Sequence, residues 1–178
     1  VVERITAREA DLGFGGRPPE GRGMIGVPFL DNELVVVAPW DHPLADQTSI
    51  SPAALTKETW LVREPGSGTR ETTEEFWASN GMQVTSSMTL GSNGTGKKAA
   101  EAGLGVTLVS RPAVAAELHN GTLTQLPVSG TPLRRSWYVL YLEDDPLSAS
   151  SREFLGLLNS PRARKAVDEW FEVPVGRP

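Results

Sequence analysis

The chain has 178 residues and a net charge of −5, from 22 acidic and 17 basic residues, with no cysteine and two histidines. A chain of this length buries a core in one or two domains. Its composition excludes disulfides, thiolate sites, multi-histidine metal centres and membrane-spanning helices, and acids outnumber bases along every part of it, leaving no basic footprint for nucleic acid.

The 18 glycines and 14 prolines are a surplus over ordinary usage and predict many short elements. Helical spacing covers 1–9, and Ala10 to Gly16 reads as a short strand ending in glycines. Met24–Leu30 and Leu34–Ala38 read as two strands; the second is apolar at consecutive positions, as expected of a strand covered on both faces. Ser51-Pro52 opens a short helix, and Trp60-Leu61-Val62 is a strand leading into Pro65-Gly66-Ser67-Gly68-Thr69. A helix over 69–79, with Phe76 and Trp77 inward, stops at Asn80-Gly81.

Beyond it the pattern predicts a strand over 84–90, a loop and helix over 91–102, a strand over 106–109 and a helix from Ser110 to His119. Strands over 123–128 and 137–142 and helices over 148–158 and 160–171 complete the chain. This alternation argues for an α/β fold with a largely parallel sheet.

Two glycine-rich turns carry the chemical signals. Gly91-Ser92-Asn93-Gly94-Thr95-Gly96-Lys97-Lys98 fits the G-x-x-x-x-G-K of a phosphate loop, but Lys98 stands where a magnesium-binding hydroxyl is needed. In Glu64-Pro65-Gly66-Ser67-Gly68-Thr69-Arg70 the helix start can hold an anion, with Ser67 and Thr69 as hydroxyl donors and Arg70 adding charge. Plain capping by Ser67 or Thr69 explains the same residues without a ligand. Catalytic signals are thin: Ser67 lacks a nucleophile-elbow pattern, and His42 and His119 sit in a turn and at a helix end.

The order of segments resembles the effector-binding domain of LysR-type transcriptional regulators, over the chain to about Leu158. The resemblance is carried by Ala10–Gly15, Val27–Pro39, His42-Pro43-Leu44-Ala45 and Glu64–Arg70. Ala102–Val106, Glu117-Leu118 with Gly121-Thr122-Leu123, and Arg135-Ser136-Trp137-Tyr138-Val139 complete it. Glu64–Arg70 followed by Arg135–Val139 is most similar to the branch of carbon-fixation operon regulators.

The resemblance implies an α/β fold of two Rossmann-like lobes of the type 2 periplasmic-binding-protein kind. One lobe combines 1–38 with 139–178, lacking its opening strand and helix, so that the chain is a truncated sensor; the other is 39–138. A small-molecule inducer is held between the lobes and shifts their orientation; the helix start at Ser67-Gly68-Thr69 points to an organic anion as that inducer. The implied effector contacts are Gly15, Gly16, Gly66, Ser67, Gly68, Thr69, Ser92, Asn93 and Arg111.

No catalysis, cofactor, metal or membrane is implied. The family is bacterial and cytoplasmic, assembles as homodimers or homotetramers, and meets promoter DNA through an N-terminal winged helix-turn-helix outside this chain. The chain departs from the family at Thr95 and Gly96, where aliphatic residues are usual, and Gly94 and Gly96 are expected to loosen that helix start. Its segment from Ser160 to Pro178, with Ala166, Val167, Trp170 and Phe171, runs past the usual end and is expected to pack on the first lobe or to cover its exposed edge. The other readings carried are a solute-binding protein of an uptake system, which shares the fold, and a nucleotide-binding phosphate-loop enzyme.

Overall fold

Five consecutive apolar residues, Leu34 to Ala38, are completely buried, and they sit in the strand around which the larger half of the molecule is built. The computed structural model describes residues 1–21, 23–163, 165 and 166. Val167, Trp170 and Phe171, and with them half of the expected closing helix, lie outside the described residues. The described residues divide into two units, Val1–Asn32 with those that follow Leu133, and Glu33–Leu133.

In the first unit the helix α1 (Val2–Thr6) buries Ile5. Strand β1 (Gly13–Gly15) pairs antiparallel with β7 (Leu133–Leu142), with Phe14 opposite Val139. Phe14 lies edge-on to Phe29, ring centroids 5.3 Å apart, and edge-on to Phe154 of the helix α5 (Ala149–Leu158). Ser148 caps α5 by accepting from the Ser151 backbone N–H.

Strand β2 (Met24–Pro39) carries the chain into the second unit. Two strands were expected here, but Asp31-Asn32-Glu33 continues as strand because Asn32 is buried within the sheet instead of turning in solvent. The unit boundary therefore falls inside β2, and its counterpart falls inside β7.

In the second unit β3 (Trp60–Arg63) pairs in parallel with β4 (Ser87–Leu90), and Trp60 bridges Val106 in parallel beside β5 (Thr107–Ser110). Strand β2 runs antiparallel to both β5 and β6 (Leu123–Gln125). Strands β3 to β6 thus point one way and β2 the other. The expectation of a largely parallel sheet is corrected at β2 and at the antiparallel pair of β1 and β7. The reason at β2 is directional, since it enters this unit from the opposite end.

Alternation along β2 sends Leu34, Val36 and Ala38 into one core with Trp60, Val62, Phe76 and Leu108. It sends Val35 and Val37 into another with Leu61, Ala99, Ala100, Val109 and Val114. Helix α2 (Gly68–Ser79) contributes Phe76 to the first core. Helix α3 (Asn93–Glu101) contributes Ala99 and Ala100 to the second, and Val114 lies beside α4 (Ala115–His119). Two of the expected helix starts, at Ser51 and Ser110, open instead as short 3-10 turns, Pro52–Leu55 and Arg111–Val114. The first of these turns is pinned where Trp60 Nε1 donates to the Leu55 carbonyl at 3.0 Å.

Gly105 shows how close the backbones come behind β5. Its φ is +154°, and a Cβ there would lie 2.0 Å from the Thr59 carbonyl oxygen. Only glycine permits that approach, which the Val106 N–H uses to donate to the same carbonyl at 2.9 Å.

Candidate functional site

Parallel strands deliver their connections to one end of a sheet, and in this unit β3, β4 and β5 do so side by side. The loop after β3 runs from Glu64 to Ser67 and starts α2; the loop after β4 is Gly91-Ser92 and starts α3; Arg111 follows β5 directly. A small depression of about 10 Å3, room for little more than a water, lies at this end, lined by Arg63, Leu90, Ser92, Asn93, Gly96 and Lys97 among others.

Arg63 ends an otherwise buried strand and organises the loops. Its Nε and Nη2 donate to the two carboxylate oxygens of Glu64, each at 2.8 Å, and its Nη1 donates to Asn93 Oδ1 at 2.7 Å. The bond to Asn93 ties the start of α3 to the end of β3. Arg70 Nη1 donates to the Arg63 carbonyl at 3.1 Å, and Arg70 Nε donates to Glu74 at 2.7 Å. The Glu64 carboxyl is held down at about 2, well below the usual carboxylate range, first by its hydrogen bonds from the Arg63 guanidinium and next by its own backbone N–H, with the Arg63 charge a smaller contribution.

The two helix starts differ. Ser92 caps α3, its hydroxyl accepting from the Thr95 backbone N–H at 3.0 Å and lying 2.9 Å from the Thr95 hydroxyl. Ser67 occupies the corresponding position of α2 but makes no side-chain cap bond, so simple capping does not account for it. Gly66 has φ +82°, which lets the chain reverse between Glu64 and Ser67. Thr69 is buried, and its carbonyl accepts from the Thr73 hydroxyl.

The phosphate-loop reading fails on geometry. The helix begins at Asn93, so Gly94, Gly96 and Lys97 are helical residues and do not wrap a ligand. Lys97 is occupied, with Nζ 2.8 Å from Glu117 Oε1 and donating to the Ala113 carbonyl at 3.1 Å. Gly94 and Gly96 do not displace the helix start, because the Ser92 cap offsets their low propensity.

Of the residues singled out in sequence, Gly66, Ser67, Gly68 and Thr69 lie on the connection after β3, and Ser92 and Asn93 on the neighbouring one. Arg111 lies after β5 and is exposed, with Nε 3.6 Å from Glu33 Oε2. Gly15 and Gly16 belong to the other unit, Gly15 as the last residue of β1 and Gly16 exposed beyond it. His42 pins its own turn, Nδ1 accepting from the Leu44 N–H at 3.2 Å. Sequence reasoning missed Arg63, although a charged residue closing a buried strand immediately before a glycine-rich helix start was the available signal. Among the described residues no cluster of His, Asp or Glu is arranged to hold a metal ion, and no helix is long and apolar enough to cross a membrane.

Residues 1–161 match the family model described as LysR substrate binding domain. The RuBisCO operon transcriptional regulator of Acidithiobacillus ferrooxidans is 39% identical over 158 residues, 89% of this chain and 51% of that protein. The transcriptional activator CmpR of Synechocystis is 38% identical over 158 residues, 89% of this chain and 52% of that protein. The chain thus spans about half the length of the curated relatives it matches. Among solved structures, the Synechocystis CcmR regulatory domain in complex with 2-PG is similar with a TM-score of 0.82 and 36% identity, covering 88% of this chain and 76% of that one. The effector-binding domain of QuiR in complex with shikimate shares the fold, with a TM-score of 0.79 at 18% identity over 93% of this chain and 77% of that one.

Proposed function

We propose, from the premise that this chain belongs to the LysR substrate-binding-domain family, that it is the effector-sensing part of a transcriptional regulator and not an enzyme. Its effector is a small organic anion, received in the second unit by Arg63, Ser67, Thr69, Ser92 and Asn93. The observation that carries this reading is Arg63, held 2.7 Å from Asn93 where two helix starts emerge from adjacent parallel strands. Helix starts and a guanidinium both favour anions, and two helices on one sheet end add their dipoles. Gly15, Gly16 and Arg111 are further effector contacts in this reading.

The effector acts by population shift, favouring whichever conformation binds it more tightly. The whole protein self-associates as a dimer or tetramer and meets promoter DNA through a winged helix-turn-helix outside residues 1–178. It works inside a bacterial cell. The similarity to regulators of RuBisCO operons and to a domain carrying 2-PG makes 2-PG the first compound to try. Calorimetric titration against 2-PG, carboxylates and sugar phosphates is the test. Saturable binding of one or more anions is expected; binding of neutral apolar compounds alone would overturn the reading.

A further inference from the structure

A two-bond side-chain contact at the site joins two neighbours in sequence. Arg63 presents the edge of its guanidinium formed by Nε and Nη2 to Glu64, and both carboxylate oxygens accept at 2.8 Å. That edge is the one a planar carboxylate or a phosphate takes when an arginine binds it through two bonds. It is therefore filled by an anion the protein supplies itself. The opposite donor, Nη1, is fixed on Asn93 at 2.7 Å, so the guanidinium has a second anchor.

The two partners are not equally enclosed. The side chain of Glu64 is 42% exposed and that of Arg63 23%, so the carboxylate lies on the more open side of the pair. Pro65 and Gly66 follow Glu64 and are both exposed. Nothing buried has to move for the Glu64 side chain to turn outward.

Resting on the effector reading above, we propose that Glu64 is a built-in competitor for the effector, occupying the bidentate edge of Arg63 until an incoming anion replaces it. Asn93 keeps the guanidinium in place during the exchange, so one carboxylate gives way to another acceptor at a fixed position. The exchange sets the class of ligand. A neutral molecule offering one acceptor cannot displace a two-bond carboxylate. An anion with two oxygens on Arg63 and further contacts at the starts of α2 and α3 can. Because the pair is partly solvated and screened, its displacement lowers affinity only modestly and leaves the site responsive.

The experiment is a calorimetric titration of the 178-residue chain and its Glu64→Gln variant with 2-PG and with inorganic phosphate. It is paired with an NMR record of the Arg63 Nε–H resonance. Glu64→Gln keeps the shape but removes the competing charge, and it is expected to bind the anion about three- to tenfold more tightly. In the unaltered chain the Arg63 Nε–H resonance is expected to shift on saturation, as its acceptor changes. Equal or weaker binding by Glu64→Gln, or an unmoved Arg63 resonance in a saturated chain, would overturn the proposal while leaving the effector reading intact. Absence of binding by both anions to both forms would remove the anion site itself, and the competitor with it.

Discussion

Lys97 and Glu117 meet at 2.8 Å between Nζ and Oε1, joining α3 to α4 across the inner side of the sheet end. Glu117 is 8% exposed, and Lys97 is the cation that faces it. Lysine at this place holds two helices together, which is a different task from cradling a phosphate.

Lys97→Met is accordingly expected to lower the unfolding free energy by about 2–3 kcal/mol, because a buried carboxylate is left without its counter-charge. Combining it with Glu117→Gln is expected to restore at least half of the loss. Urea unfolding of the two single variants and the double variant measures both effects, and a purely additive double variant would show that the pair is not coupled.

Glu64 has a defined pH signature. Its carboxyl is held at about 2 in the folded chain against an ordinary value of 4.5, so the fold favours the ionised form. The associated stabilisation is fully present above 4.5 and is lost as the pH falls from there through about 2. An NMR titration of the Glu64 carboxyl carbon is expected to give a midpoint near 2, and Arg63→Met is expected to return it toward 4.5.

Gly105→Ala is expected to cost more than about 3 kcal/mol, or to prevent folding, since the new methyl meets a carbonyl oxygen at 2.0 Å. Gly103, with φ +76° and open space around a would-be Cβ, serves as the control. Its alanine variant carries only the backbone penalty of about 1 kcal/mol. Thermal unfolding separates the two.

Gly96→Ala is expected to stabilise the chain by about 0.5–1 kcal/mol. The residue is helical, and a Cβ there meets nothing within 4 Å. Denaturant unfolding reads this directly, and a loss of stability would show that the space beside α3 is more tightly filled than the backbone indicates.

The legible parts of this molecule are those whose cause is local. Five consecutive apolar residues at Leu34–Ala38, rich in valine, fit a strand covered on both faces, and all five are buried. Thr69 to Ser79 with a glycine stop reads as a helix and is one. Asp31-Asn32-Glu33 misleads because its composition is that of a turn, whereas Asn32 is buried by strands distant in sequence. Gly91–Lys98 misleads in the opposite sense, since glycines that look like a loop are held helical by one serine cap.

The position of Arg63 was signalled, but its partners were illegible for a geometric reason. Adjacent residues of a strand point to opposite faces, so Arg63 and Glu64 would not be expected to meet. They meet because β3 ends at Arg63 and Glu64 lies beyond the alternation. The partner on the other side, Asn93, is thirty positions away in sequence. No local pattern connects the two.

Both passages between the compact units run through strand, at Asn32–Glu33 in β2 and at Leu133–Arg134 in β7. Ordinary domain borders are tethers, where a protease can nick or a gene can be cut with little harm. Here a cut at Asn32–Glu33 would sever β2 in mid-course and leave each half with a broken stub, while one at Leu133–Arg134 would fall just inside the start of β7. The two units can be told apart by their contacts, yet separating them means cutting through the middle of β2, so the clean recombinant piece is the pair together.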